Sequence, residues 1–248
     1  MPTSPMDMLL LGVVCFGLPV WSLISGKLYR DPGVAARARV RRYTLIAIRG
    51  LALSLFVLLA WRRAGRPFAD LGFDVPVGKP GLLGFAIALL VISYYVSTVQ
   101  FRRRSTQQLN ATRERLRRLR SFEMLPQTSA EYTIYPVAAI IGSACEELLY
   151  RGYLITVLTL PLGLPGAVLG SSALFGLGHL YQGAVGVVRT MIIGLAFGVG
   201  FALTHSLWWL LVAHASANLS GLFLARRIAA ATDPHGQGSQ SNQRFGIG

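Results

Sequence analysis

The stretch IYPVAAIIGSACEELLYRGYLITVLTL, residues 134–160, contains three charged side chains, Glu146, Glu147 and Arg151, in an otherwise apolar run. A run this long reads as a helix that crosses a bilayer, because about 20 apolar residues rising ~1.5 Å each span the hydrocarbon core. The same reading extends outward in both directions. Upstream, apolar runs cover residues 6–25, 43–61 and 81–101; downstream they cover 166–180, 185–203 and 207–224. The composition of the 248-residue chain agrees, with 53% hydrophobic and 14% charged residues and a mean hydropathy of +0.51, where soluble domains carry about 25% charge. The expected fold class is all-α, a polytopic transmembrane helix bundle of about seven spans. A soluble single domain is excluded.

The formal net charge of +14 would suggest nucleic acid as a partner in a soluble chain. Here the bases fall between the apolar runs, where topology signals belong, so no nucleic-acid partner is expected. Lys27, Arg30, Arg37, Arg39, Arg41 and Arg42 read as a short cationic cytoplasmic loop. Eight arginines within residues 102–120 read as a cationic helical segment. Its edge of Leu109, Leu116 and Leu119 suits either an anionic lipid surface or plain solvation. Counting Arg226, Arg227 and Arg244, 17 Lys/Arg lie on one side, against Arg62, Arg63, Arg66 and Lys79 on the other. That asymmetry predicts a multi-pass protein of the cell membrane with its amino terminus outside and its carboxyl terminus cytoplasmic.

The first run has no basic residue before it and no small-residue cleavage site, so it reads as a retained span. Arg49, six residues into the second run, reads either as snorkelling to the near interface, the preferred reading, or as marking a polar pocket. Residues 68–73 read as lying along the interface. The chain divides into residues 1–126, amino-terminal spans with the basic segment; 127–232, the chemistry-bearing core; and 233–248, a Gly-, Gln- and Ser-rich tail expected to be disordered. The core opens on Thr128 and Glu131, spaced as a capping box. Cys15 and Cys145 both fall in apolar runs and give no disulfide framework.

Ionisable side chains inside a span are costly unless they are paired or face a wet cavity. Glu147 and Arg151 are four apart with the acid first, which predicts an ion pair on one helical face. Glu146 sits about a hundred degrees away around the helix and is left for chemistry. Phe175 and His179, and His214 and Asn218, are also four apart. One Glu, two His and one Asn in separate apolar runs point to a shared site. A carboxylate with a histidine can deprotonate water, and a second histidine with an amide can donate to the oxyanion formed at a carbonyl, which amounts to peptide-bond hydrolysis. The competing reading is a catalytic zinc held by Glu146, His179 and His214 with one position open. The helix motif of two histidines around a glutamate is absent, so no metal or other cofactor is favoured. One difficulty is depth. Glu146 lies ~18 Å from the start of its run, and His179 lies ~20 Å from the opposite face.

Three motifs, Glu146-Glu147-x-x-x-Arg151, Phe175-x-x-x-His179 and His214-x-x-x-Asn218, resemble those of the CAAX-processing and bacteriocin-processing (CPBP, or Abi) intramembrane proteases. The surrounding text is similar too, with Leu-Leu-Tyr-Arg-Gly at 148–152 and Ser-Ala-Leu-Phe-Gly-Leu-Gly-His at 172–179. The resemblance covers about residues 127–224. It implies an endopeptidase with its site inside the membrane, Glu146 activating water, His179 positioning it, and His214 with Asn218 stabilising the oxyanion. Glu147 and Arg151 would brace the site, and Phe175 would touch substrate. The implied partners are membrane lipid and a membrane-embedded or lipidated peptide, of CAAX or bacteriocin type. A non-catalytic membrane scaffold or immunity protein remains an alternative, as does an ion-coupled transporter, although the paired repeats usual in transporters are not visible.

Overall fold

The computed structural model describes residues 4–28, 31–74, 78–100, 105–118 and 122–232, and among these there are helices and turns but no strand. The tail expected to be disordered, 233–248, lies outside the described residues. The helices are α1 (Pro5–Gly12), α2 (Leu18–Leu28), α3 (Pro32–Arg63), α4 (Lys79–Gln100), α5 (Thr106–Arg118), α6 (Ser129–Glu147), α7 (Thr156–Leu177), α8 (Gly183–Thr204) and α9 (Trp208–Thr232). A π turn, Val13–Gly17, joins α1 to α2 into one membrane-length run, Pro5–Leu28.

Local chemistry explains where the helices start. Ser4 caps α1 in a reciprocal box with Asp7, and Thr128 caps α6 in the box with Glu131 that the Thr-x-x-Glu spacing predicts. The Asp31 carboxylate accepts the N–H groups of Gly33 and Val34, with Pro32 in the first turn, so α3 begins well before its apolar stretch. This corrects the reading of the first basic cluster as a loop. Arg37, Arg39, Arg41 and Arg42 belong to the first turns of α3. Arg39 is buried, and its Nε donates to Glu131 Oε2 at 2.9 Å.

Of residues 68–73, read as lying along the interface, Leu71 is fully buried in the bundle while Phe68 is 42% exposed. Thr156 Oγ1 donates to the Asp70 carbonyl, and Leu207 N–H donates to the Gly72 carbonyl. In α5, Leu109 and Leu116 pack into a cluster with Ala225 and Ile228 of α9, so this apolar edge has a protein partner. Leu119 and the arginines at 102–104 and 120 lie outside the described residues.

The apolar helical run Ser129–Leu177 is 49 residues long, more than twice what a ~30 Å core needs at ~1.5 Å per residue. It is not straight. Between Pro161 and Pro165, Gly163 adopts φ 67° and ψ 165°, a conformation that only glycine reaches at little cost. The chain reverses there. Beyond the turn, Ser171 Oγ donates to the Tyr150 carbonyl at 2.6 Å, and the Phe175 ring meets that of Tyr150 at 5.1 Å. Six runs are long and apolar enough to cross a membrane, and because the fourth is a hairpin of two spans, the seven expected spans are present. The hairpin also removes the depth difficulty. Glu146 stands 17 residues before Gly163 and His179 stands 16 after it, so both come to one level.

Small residues set the close approaches between spans, as in many membrane bundles. Gly194 of α8 takes the Phe175 ring of α7, and Trp209 is clasped between Gly84 of α4 and Gly200 of α8. Helices α3 and α6 run side by side and parallel, with Arg39 on Glu131, Tyr43 on Tyr135 and Gly50 on Cys145.

The amino-terminal run is tied in by a second buried ion pair. Arg66 Nη1 donates to Asp7 Oδ1 at 3.0 Å and Nη2 to Oδ2 at 2.6 Å, while Tyr153 OH donates to Oδ1 at 3.1 Å. Removing one partner of a buried pair leaves an uncompensated charge. Arg66→Met should therefore lower stability by about 3–5 kcal/mol, and the Asp7→Asn/Arg66→Met double variant should recover part of that loss. Unfolding in detergent measures both, and an unchanged midpoint for the single variant would contradict the assignment.

Candidate active site

The site is built around Glu147, the last residue of α6, whose side chain is 0% exposed. Arg151 Nη1 donates to its Oε1 at 3.0 Å, the ion pair expected from the four-residue spacing. The same oxygen lies 2.6 Å from Nδ1 of His214, on α9. An ionised carboxylate only accepts, so the proton of that contact sits on Nδ1. Arg151 in turn stacks against Phe175 of α7 and Phe197 of α8, at 4.3 and 5.4 Å from the ring centres, and its Nη2 donates to the Gly194 carbonyl at 3.4 Å. Between Glu147 and α7 the chain is π-helical, Leu148–Ile155, a geometry that occurs frequently at functional sites.

Glu146 points elsewhere. Its side chain is 32% exposed and opens on a cavity of about 340 Å³. His179, just past the end of α7, lines the same cavity, as do Tyr150 and Tyr181. His214 Nε2 lies 3.7 Å from Glu146 Oε2, close enough for charge interaction but too long for a hydrogen bond. His179 Nδ1 lies 2.8 Å from the Phe175 carbonyl. A carbonyl only accepts, so Nδ1 carries the proton and Nε2 of the neutral ring is an acceptor. The fold thus brings Glu146, His179 and His214 together, with a fixed tautomer at each histidine.

The other expected residues are placed differently. Phe175, read as a substrate contact, is 3% exposed. Its ring is wedged against His179 at 4.9 Å and His214 at 6.1 Å and is not part of the cavity wall. Asn218, one turn past His214, donates from Nδ2 to Ser143 Oγ at 2.9 Å, and its main-chain carbonyl accepts from Tyr135 OH. Its amide therefore faces α6. Arg49, read as snorkelling, lines the cavity instead, together with Arg42 of the same helix. The seven-residue spacing of these two arginines, two helical turns on one face, was the signal available in the sequence.

Among the described residues no three His, Cys, Asp or Glu side chains converge as a metal-ligand set. Glu146, His179 and His214 are not drawn into such a set in this arrangement. The hydrogen-bond geometry makes a direct spectroscopic prediction. In ¹⁵N-histidine-labelled protein at neutral pH, both His179 and His214 should carry a proton on Nδ1, and a ring protonated at Nε2 alone would contradict the geometry.

No curated protein and no solved structure matches the chain. Residues 128–220 match the family model described as Rce1-like, type II CAAX prenyl endopeptidase. The match starts at the capping residue of α6 and ends two residues past Asn218, so it takes in Glu146, Glu147, Arg151 and both site histidines. With the three motifs in order, and with Glu146 and His179 on one cavity and His214 beside Glu146, residues 128–220 of the chain are similar to the Rce1-like type II CAAX prenyl endopeptidases.

Proposed function

We propose that the chain is an intramembrane endopeptidase that hydrolyses a peptide bond near the carboxyl terminus of a CAAX-type lipidated peptide, using a water activated by Glu146. The observation that carries this reading is the shared cavity. Among the described residues Glu146 is the only acid on its wall, His179 lines the same cavity, and His214 Nε2 faces Glu146 at 3.7 Å.

In the proposed reaction a water is held between Glu146 and the free Nε2 of His179. Glu146 takes a proton as the water oxygen attacks the substrate carbonyl. The negative charge that develops on the carbonyl oxygen is met by His214. Because Nδ1–H of His214 is committed to Glu147, its Nε2 donates when the ring carries both protons. Asn218 supplies a second donor once its amide turns from Ser143. The C–N bond then breaks, and Glu146 returns its proton to the leaving amine. The products are a new carboxylate and a free amine, with no other reactant consumed.

The surroundings support a lipidated substrate. Leu18, Trp21, Leu45, Ile46 and Leu53 give the cavity an apolar wall suited to an isoprenoid chain. Glu146 and His179 lie about 25 Å along the helices from the Gly163 turn, which leaves them close to the opposite face of a ~30 Å core. Water and a soluble polypeptide reach them from that face, and a lipid anchor reaches them from the bilayer. The basic start of α3 lies on the same side, in keeping with a cytoplasmic entrance and an outside amino terminus.

The test uses purified full-length protein with a farnesylated peptide ending in a CAAX sequence. The expected result is cleavage by wild type and loss of about 10²–10⁴-fold in Glu146→Ala, the range for a general base, with wild-type activity kept in a strong chelator. Equal rates in wild type and variant would overturn the protease reading and leave a scaffold or transporter. Loss in chelator that zinc restores would overturn the metal-free mechanism and make Glu146, His179 and His214 ligands.

A further inference from the structure

His179 lies just past the end of α7, with φ −109° and ψ 20°, so helical register does not dictate where its imidazole points. One hydrogen bond, from Nδ1 to the Phe175 carbonyl at 2.8 Å, ties the ring down. A single bond leaves the ring free to tilt about that contact. Two aromatic rings supply what the bond does not. Phe175 meets the imidazole at 4.9 Å with an interplanar angle of 63°, and Tyr181 meets it at 5.8 Å and 37°. The proposed reaction gives Tyr181 no part, although it is fixed more firmly than a wall residue needs to be.

Resting on the protease reading above, we infer that Tyr181 is a positioning residue for His179, and that α2 acts on the site through it. The Tyr181 N–H donates to Ser22 Oγ at 3.0 Å, its hydroxyl accepts from Gln182 Nε2 at 3.0 Å, and its ring lies 5.2 Å from the Arg42 guanidinium carbon. Gly26 stands against its backbone. A Cβ built on that glycine would come 2.9 Å from the Tyr181 Cα, well inside the ~3.5–4.0 Å of ordinary carbon contact. Ser22 and Gly26 are four apart and share one face of α2. That face therefore clamps the main chain two residues beyond the histidine, and the tyrosine ring carries the constraint back to the imidazole. Both clamp residues lie outside the segment that matches the family model, 128–220. The same helix gives Leu18 and Trp21 to the cavity wall. One helix thus supplies an apolar surface beside the site and the strut that sets the plane of His179.

The test uses purified full-length protein labelled with ¹³C-histidine, the His179 ring signals being assigned by their loss in His179→Gln, together with cleavage of a farnesylated CAAX-type peptide. Gly26→Ala changes no residue of the cavity wall and reaches His179 through Tyr181. It should shift the His179 ring signals and leave those of His205, in the turn between α8 and α9, in place. Tyr181→Leu removes the ring and should shift the His179 signals further. Each variant should lower kcat about 2–12-fold, the size of one aromatic pair, and in Gly26→Ala the KM should stay near its wild-type value. Tyr181→Phe keeps the ring and should recover most of what Tyr181→Leu loses, in rate and in signal. His179 signals unmoved in Gly26→Ala and Tyr181→Leu, or moved signals with an unchanged kcat, would overturn the positioning role while leaving the protease reading intact. A rate lost only through unfolding would leave the surviving His179 signals in place and would count against the role in the same way. Wild type that cleaves no such peptide would overturn the protease reading and the role with it.

Discussion

A single buried negative charge organises this protein. The carboxylate of Glu147 lies where water does not reach, and an ion placed there without partners costs several kcal/mol. Its partners come from different parts of the chain. Arg151 follows one turn later, His214 arrives from α9, and Arg151 is itself covered by Phe175 from α7 and Phe197 from α8. Both donors converge on Oε1, while Oε2 is buried with no hydrogen-bond partner among the described residues. Satisfying one oxygen therefore fixes the relative positions of α6, α7, α8 and α9. It also fixes the face of the next residue, because a carboxylate one position earlier on the helix must point about a hundred degrees away. Glu146 faces the cavity because Glu147 cannot.

The second constraint is the reversal at Gly163. A run of 49 apolar residues has no place in a bilayer as a straight rod, and one glycine between two prolines turns it into a hairpin in which Glu146 and His179 stand 17 and 16 residues from the turn. The return arm carries Phe175 and His179 back to the level at which the outgoing arm carries Glu146 and Glu147. Ser171 on the return arm bonds the Tyr150 carbonyl in the π-helical segment. The same interior surface that stabilises the bundle thus aligns the groups that would share a water.

Much of this was legible in the sequence, for identifiable reasons. Spans follow from apolar length, the α6 start from Thr128 and Glu131, and the Glu147–Arg151 pair from a four-residue spacing, because each of these is a local property of a helix. The contact between His214 and Glu147 joins residues 67 apart and depends on how α9 packs on α6, which no periodicity records. Phe175 looked like a substrate contact because its spacing from His179 fixes the face of α7 but not what lies opposite, and what lies opposite is Arg151. For the same reason the choice at Arg49 between snorkelling and a polar pocket was not legible, and the pocket is where it lies. Hydropathy also hid the true start of α3. A cluster of arginines resembles a loop, yet Asp31 and Pro32 were already signs of a capped helix.

The central claim is a division of labour between adjacent glutamates, one holding the fold and one facing the reaction. It is tested most directly by measuring single-turnover cleavage of a farnesylated CAAX-type peptide and the thermal midpoint in detergent on the Glu146→Gln and Glu147→Gln variants side by side. The account predicts that Glu146→Gln abolishes cleavage with an unchanged midpoint, and that Glu147→Gln lowers the midpoint along with the rate. A variant pair in which Glu146→Gln destabilises the protein, or in which Glu147→Gln leaves its midpoint untouched, would contradict it.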